Sequence, residues 1–400
     1  MPMLDLDKGK MERRVGGYFT ITLFLVLPAV LPLFRRAAPV FLITVGAIAA
    51  FILWRDLRLG FVLKSRLRKP AALLFFAFMA WAAISLAWST VPARGFTNIV
   101  TVLALVVSFS LISEFPVSKN APHCLAIGLA IGCGIIAIDL LSGLPILRFI
   151  NQREVDAWRY NMVCVTYCLS SVALLSHREA VSGYMLTFVM VLFAAAVFLG
   201  ESETAKLVIL LLPIIILVIS FFPSSALKVS IFGSLVSFFI FASSGMPGLS
   251  FIKSLVPPSF WQQASGDERL AIWLGFADFA GRGLPFGWGT ATSAYPQGTP
   301  FYISAAQEVQ VAISHWHPHN NFVQILTELG LPGSLIVLWM LVIFILKCFS
   351  FYRSKVPFFL VYLCVTVGVA SVSHGFWQSW WWAAVLIGWY SMAGGEEYKS

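Results

Sequence analysis

Apolar runs of 17 to 25 residues recur along the 400-residue chain from Tyr18 to Gly395. Each is long enough, as a helix, to cross roughly 30 Å of hydrocarbon. In lipid an open chain satisfies its backbone N–H and C=O groups only by coiling into helices, so these runs predict an all-α integral membrane protein. About twelve spans are expected, at 18–34, 38–54, 71–88, 97–114, 122–145, 160–177, 182–200, 207–222, 226–244, 333–350, 357–375 and 377–395. Charged residues make up 11% of the chain and hydrophobic ones 59%. A soluble domain carries about 25% charge, so a soluble enzyme is excluded.

The basic residues give the spans a direction. With the N-terminus inside, 17 of the 27 Lys and Arg fall on the cytoplasmic side and ten outside, Arg35 and Arg36 among the latter. That bias predicts both termini in the cytoplasm. The net charge of +9 then belongs to cytoplasmic loops facing anionic lipid, with no call for nucleic acid. Lys8, Lys10, Arg13 and Arg14 ahead of the first apolar run resemble a signal peptide, but Arg35-Arg36 follows in place of a small-residue cleavage site, so the run is taken as an uncleaved span. The six cysteines form no Cys-x-x-Cys pair, and neither a disulfide framework nor a zinc site is expected. The chain divides into a membrane bundle of about nine spans over 1–244, one long outer loop over 245–332, and about three spans with a cytoplasmic tail over 333–400.

The loop holds the residues suited to chemistry. Ser314-His315-Trp316-His317-Pro318-His319-Asn320-Asn321 leads into a segment ending Gly330-Leu331-Pro332-Gly333. Pro318 suits a first helical turn, and Gly330 with Pro332 suits a stop or kink. Asn320, Gln324, Thr327 and Glu328 share one stripe between them, which predicts a short amphipathic helix at the outer surface. His319 would lie in its first turn, where N–H groups and the helix dipole favour an anion. Three other readings stay open: a metal held by the closely spaced histidines, solvated loop histidines, and a structural Glu328. Upstream, Ser265-Gly266-Asp267-Glu268 is a capping box opening a helix to about Ala280, with Arg269 and Trp273 at helical spacing and Leu284-Pro285-Phe286-Gly287-Trp288-Gly289 after it. Arg269 carries the planar fork that grips phosphate oxygens. Arg159 and Lys206 are further outward cations.

His319-Asn320 followed by Gly330-Leu331-Pro332-Gly333 resembles the signature of the O-antigen ligase and Wzy-type polymerase superfamily. Arg269, Trp273 and Pro285-Phe286-Gly287-Trp288-Gly289 resemble its second block, and Trp88-Ser89-Thr90-Val91-Pro92 a shorter one. The resemblance implies a GT-C-like membrane fold in the bacterial inner membrane with 245–332 as a periplasmic catalytic loop. It implies a metal-independent inverting glycosyltransferase with no cofactor. Such an enzyme takes a glycan from undecaprenyl diphosphate. The acceptor is a lipid A–core sugar hydroxyl in a ligase, or another lipid-linked glycan in a polymerase of O-antigen or exopolysaccharide. His319 would be the base and Arg269 the diphosphate ligand, with Arg159, Lys206, His317, Asn320 and Trp273 as further substrate contacts. Where many members carry Ser-Arg or Ser-Lys, this chain reads Glu201-Ser202-Glu203-Thr204-Ala205-Lys206, so the second cation falls to Lys206 or Arg159. A flippase of lipid-linked oligosaccharides is the reading from another class, and the scarcity of charges within the spans, Asp139 being the clearest, speaks against it.

Overall fold

Long apolar stretches bounded by Pro, Gly and charged residues become helices. The computed structural model describes residues 2–151, 156–221, 254, 266–314, 318–348 and 356–393. Twelve helices matter here: α1 (Pro2–Thr20, continued to Val30 through a π turn), α2 (Ala37–Arg55), α3 (Pro70–Ile84), α4 (Pro92–Ile112), α5 (Ala121–Leu141), α6 (Asn161–Leu175), α7 (Gly183–Leu199), α8 (Glu203–Phe221), α9 (Gly266–Gly283), α10 (Asn321–Cys348), α11 (Val356–Val372) and α12 (Ser379–Ala393). Helices α3 and α4 open on Pro70 and Pro92, whose missing N–H costs nothing in a first turn. Among the described residues no strand occurs, and six helices are long and apolar enough to cross a membrane: Gly9–Val30, Ala37–Arg55, Pro70–Trp88, Pro92–Ile112, Ala121–Leu141 and Asn321–Leu346. Gly183–Leu199 and Pro357–Val372 are apolar but shorter. The expected span over 226–244 lies outside the described residues.

Side-chain bonds sort the connections into two ends of the bundle. At one end Arg66 Nε donates to Glu114 at 2.9 Å, Tyr390 Oη donates to the Phe115 carbonyl at 3.1 Å, and a His177 ring nitrogen meets the Ser391 carbonyl at 2.8 Å. Arg58 pairs with Glu12 there. At the opposite end Trp81 donates to the Leu329 carbonyl at 2.8 Å, and Ser85 and Thr290 share a hydrogen bond of 2.8 Å. That end also gathers Arg35, the turn after α5, the start of α6 and the turn before α8, because each lies one helix length from the first. A large apolar core binds α1, α2, α5, α6, α7, α11 and α12. Helix α11 runs beside α6, α8 and α10, which makes its far end, Val372-Ser373, the meeting point of the site.

Candidate active site

The segment before α10 differs from its sequence-based expectation in two ways. The helix begins at Asn321, and Asn320 is its cap: its Oδ1 accepts the backbone N–H groups of Phe322 at 2.9 Å and Val323 at 3.1 Å. His319 therefore stands before the first turn rather than in it, with a left-handed φ of +51°. The first-turn donors expected to face an anion are occupied by Asn320. The helix is also no surface element. Gln324, Thr327 and Glu328 are buried, the last two completely. A polar stripe at helical spacing marks solvent in a soluble protein, but here it meets other polar groups inside the fold.

Those groups come from the 291–293 turn and from Phe376 and Trp377, between α11 and α12. Glu328 is surrounded by donors: the Ala291 N–H at 2.7 Å and the Trp377 indole at 2.6 Å on Oε2, the Gln324 amide at 2.9 Å and the Ser293 hydroxyl on Oε1. Gln324 in turn accepts the Phe376 N–H at 2.7 Å. Two residues beyond Glu328, Gly330 (φ +62°, ψ −155°) breaks the helix, in a region essentially closed to residues with a Cβ. The Pro285–Gly289 turn fills the break: Trp288 N–H donates to the Thr327 carbonyl and Gly289 N–H to the Glu328 carbonyl, both at 2.8 Å, while Leu331 N–H donates to the Pro285 carbonyl at 2.9 Å. Both chains approach so closely that a Cβ on Gly330 would stand 2.1 Å from the Pro285 oxygen, and one on Gly287 2.5 Å from the Glu328 oxygen. Trp88 donates to the Gly287 carbonyl at 3.2 Å and Ser89 to the Thr290 carbonyl at 2.7 Å. Three blocks far apart in sequence thus form one knot around a helix break.

Two of the candidate residues meet at the end of α11. His319 Nδ1 lies 2.8 Å from the Ser373 carbonyl. A carbonyl only accepts, so Nδ1 carries the proton and, in the neutral ring, Nε2 is the basic nitrogen. Arg269 Nη1 donates to the neighbouring carbonyl, Val372, at 3.1 Å. Two residues from different segments are thereby brought together by consecutive carbonyls of one helix end. Trp273, one turn beyond Arg269, has a buried indole N–H with no hydrogen-bond partner among the described residues, as does the buried Oδ1 of Asn321. Directly below Asn321 a cavity of about 240 Å³ opens between α10, α11 and α12, lined by Phe322, Ile325, Met340, Leu363, Val367 and Trp382 among others.

The remaining sequence candidates are dispersed. Lys206 opens α8, beside α11, and pairs with Glu203 at 3.0 Å. Arg159 lies over the Trp158 ring, 5.6 Å from its centre. His317, with His315 and the capping residue Ser265, lies outside the described residues. Sequence reasoning passed over Ser373 and His374: the Ser373 hydroxyl meets His374 Nε2 at 2.8 Å, and the His374 ring sits edge-on to Trp380 at 4.5 Å. A short Ser-His-Gly break between two apolar spans was the signal that could have found them.

Residues 188–338 match the family model described as O-antigen ligase (Wzy_C). The chain is also 23% identical over 332 residues, 78% of each protein, to a putative polysaccharide ligase of Rickettsia bellii (strain RML369-C). Over these stretches the chain is similar to O-antigen ligases and to a putative polysaccharide ligase.

Proposed function

We propose that this protein is a periplasm-facing, metal-independent inverting glycosyltransferase of the bacterial inner membrane, with both termini cytoplasmic. It moves a glycan from undecaprenyl diphosphate to a sugar hydroxyl of a lipid A–core acceptor. The observation that carries this reading is the shared anchoring of His319 and Arg269 on the Ser373 and Val372 carbonyls. A base and a guanidinium fixed side by side suit a reaction that removes one proton and releases one diphosphate.

In the step itself His319 Nε2 takes the proton of the acceptor hydroxyl, whose oxygen attacks the anomeric carbon. The bond from that carbon to the diphosphate oxygen breaks, and its electron pair leaves with the diphosphate. Arg269 balances the charge that develops there, and Lys206 is the second cation. The buried indole N–H of Trp273 supplies a neutral donor to the donor substrate. The apolar cavity below Asn321 suits the first isoprene units of the carrier. Ligase is preferred to polymerase, which shares the donor chemistry, because the matched family and the Rickettsia relative both carry the name ligase.

The test is His319→Ala in cells lacking the native gene. General-base removal is worth typically 10²–10⁴-fold, so surface glycan should vanish while polymer accumulates on the lipid carrier and the protein stays at normal abundance. Carrier bearing only single repeats would identify a polymerase instead. Undiminished transfer by well-inserted His319→Ala protein would sink the assignment of the base.

A further inference from the structure

A second cleft, lined by neither His319 nor Arg269, opens between the C-terminal half of α9 and two short helices, Pro300–Ser304 and Gln307–Ile313. It has a volume of about 500 Å³, and Asp278, Arg282, Trp288, Phe301, Ser304 and Val309 are among its lining residues. That volume is in the range of small-ligand sites. Packing fixes the walls. Phe276 and Phe279 of α9 are buried in a cluster with Ile313, against which Trp288, Phe301 and Val309 lie. The Trp288 indole donates to the Phe279 carbonyl at 2.7 Å. The Gln310 amide donates to the Tyr302 and Ala305 carbonyls at 2.9 and 3.1 Å, tying one short helix to the other. A cleft built in this way needs little ordering when a ligand arrives.

Two kinds of surface meet in it. Trp288 and Phe301 each stack on Phe279, with ring centres 5.2 Å apart and planes inclined by 21°. Phe279 is fully buried, whereas Trp288 and Phe301 are half-buried and keep ring area for the cleft. Asp278 and Arg282, one turn apart on α9, come no closer than 3.8 Å, with side chains 42% and 70% exposed. Such a distance is too long for a hydrogen bond, so the carboxylate and the guanidinium keep their bonding capacity for a ligand. An anion would meet Asp278 and a cation Arg282. A hydrocarbon chain would strip both charges of water and replace none of it. Peptides are bound at a sheet edge or as a helix in an apolar groove, and this cleft has a charged pair and, among the described residues, no strand beside it. A sugar answers every wall: its C–H face covers an aromatic ring, while its hydroxyls donate to a carboxylate and accept from a guanidinium.

Asp278 and Arg282 follow Arg269 on the same helix, about 14 and 20 Å further along its axis at 1.5 Å per residue. The cleft is thus too far to touch a carbon reacting beside Arg269, but near enough for sugars further along the same chain. We propose that this cleft binds sugar rings of the transferred glycan several units from the reacting carbon, with Asp278 and Arg282 on their hydroxyls and Phe301 and Trp288 on their C–H faces. Naming the transferred glycan as the source of those rings rests on the function proposed above. The test is therefore binding without turnover. The probe is the surface polysaccharide of the source bacterium, cleaved from its lipid by mild acid and labelled at the reducing end, and its binding to full-length protein in nanodiscs is followed by fluorescence anisotropy. Wild type should bind it, and so should His319→Ala. Asp278→Ala should weaken binding at least about tenfold, the loss of a hydrogen bond to a charged group. Alanine favours the helix and the exposed pair it breaks is worth little, so this variant folds. Phe301→Leu, which keeps bulk against Phe279 but loses the ring face, should weaken binding about fivefold, and Phe301→Tyr should keep it. No binding by wild type, or equal binding by wild type and folded Asp278→Ala and Phe301→Leu, overturns the proposal. A random peptide library that binds through Asp278 and Phe301 where the polysaccharide does not would overturn it in favour of a peptide. Undiminished transfer by His319→Ala would remove the assigned base and leave the cleft to be judged by these affinities alone.

Discussion

Two carboxylates among the described residues are completely buried, and they are put to different uses. Asp139, in the last turn of α5, accepts the Tyr160 hydroxyl at 2.6 Å and the Ile146 and Leu147 N–H groups at 2.6 and 3.3 Å. All its partners lie within the next 21 residues, so it closes the connection that leaves its own helix. Glu328 draws its donors from the 291–293 turn, from Gln324 on its own helix and from Trp377 near the start of α12. It closes nothing local. It ties the helix break to the segment whose Ser373 carbonyl orients His319. Both obey the rule that a buried charge persists only when fully hydrogen-bonded, but one is a local cap and the other a tie between distant segments. In the proposed mechanism Glu328 would act through the segment that carries Ser373, as a positioning residue.

Removing the two groups should separate these uses. Glu328→Ala leaves four buried donors and Asp139→Ala three, each at about 1–3 kcal/mol. Both variants should lose several kcal/mol of stability, visible as reduced abundance or a lower unfolding temperature in detergent. The milder pair sharpens the contrast. Glu328→Gln places an amide N–H against donors and should lower transfer more than tenfold, about 1.4 kcal/mol at the barrier, in protein that still folds. Asp139→Asn should keep transfer near wild type. Equal losses in the two amide variants would erase the distinction between cap and tie.

The helix break offers the next largest effect. Gly330→Ala must hold a Cβ at a dihedral pair open to glycine, 2.1 Å from the Pro285 oxygen, at a cost of at least about 1–3 kcal/mol from the dihedral alone. The α10 chain should straighten or the Pro285–Gly289 turn should move away. Trp88 and Trp288 would then change environment, and transfer would fall with them. Gly134 on α5, whose added Cβ meets nothing within 4 Å, is the control. Gly134→Ala should be neutral or slightly stabilising in a helix interior.

What the sequence made legible follows from how local each signal is. Helix placement was legible because hydrocarbon thickness fixes length and hydropathy fixes position. The motif blocks were legible as residues, and so was the glycine kink at 330, since a Gly-x-Pro step announces a break on its own. Their convergence was not: that Trp288 and Gly289 satisfy the Thr327 and Glu328 carbonyls is a contact between segments some 40 residues apart. The polar stripe of α10 misled because amphipathicity reports two unlike faces without saying that the polar one meets water. The placement of His319 slipped by a turn because Pro318 competed with Asn320 as the start signal, and the side chain of Asn320 won by capping two N–H groups. Ser373 escaped notice because its importance lies in a carbonyl, which every residue has.

Arg269 and Arg66 extend the comparison from acids to cations. Arg66 makes a pair with Glu114 at the opposite end of the bundle, partly exposed and worth little. Arg269 is held by a carbonyl beside His319. Arg269→Lys keeps the charge but loses the fork, and hydrogen bonds to charged groups are worth about 1.5–3 kcal/mol each, so donor affinity should drop roughly 10- to 100-fold. Arg66→Lys should leave it within experimental error. Unchanged donor binding in Arg269→Lys would leave the guanidinium as an anchor for α9 alone.

The smallest effect compares two helix caps. Ser182 caps α7 by accepting the Met185 N–H at 3.3 Å, and Asn320 caps α10 with two shorter bonds. Each Ala substitution should cost about 1 kcal/mol of stability, which a thermal melt of the purified protein resolves as a shift of a few degrees at most. Activity should tell them apart. Ser182 lies at the end of the bundle far from His319, so Ser182→Ala should transfer glycan like wild type. Asn320 follows directly on His319, and its cap fixes the backbone from which the imidazole reaches Ser373. Asn320→Ala should therefore lower the turnover rate several-fold with little change in donor affinity, and Asn320→Asp, which restores an accepting oxygen, should recover most of it. Recovery by Asp would mean that Asn320 serves the reaction through helix geometry, whereas failure to recover would mean that its amide N–H groups contact the substrate.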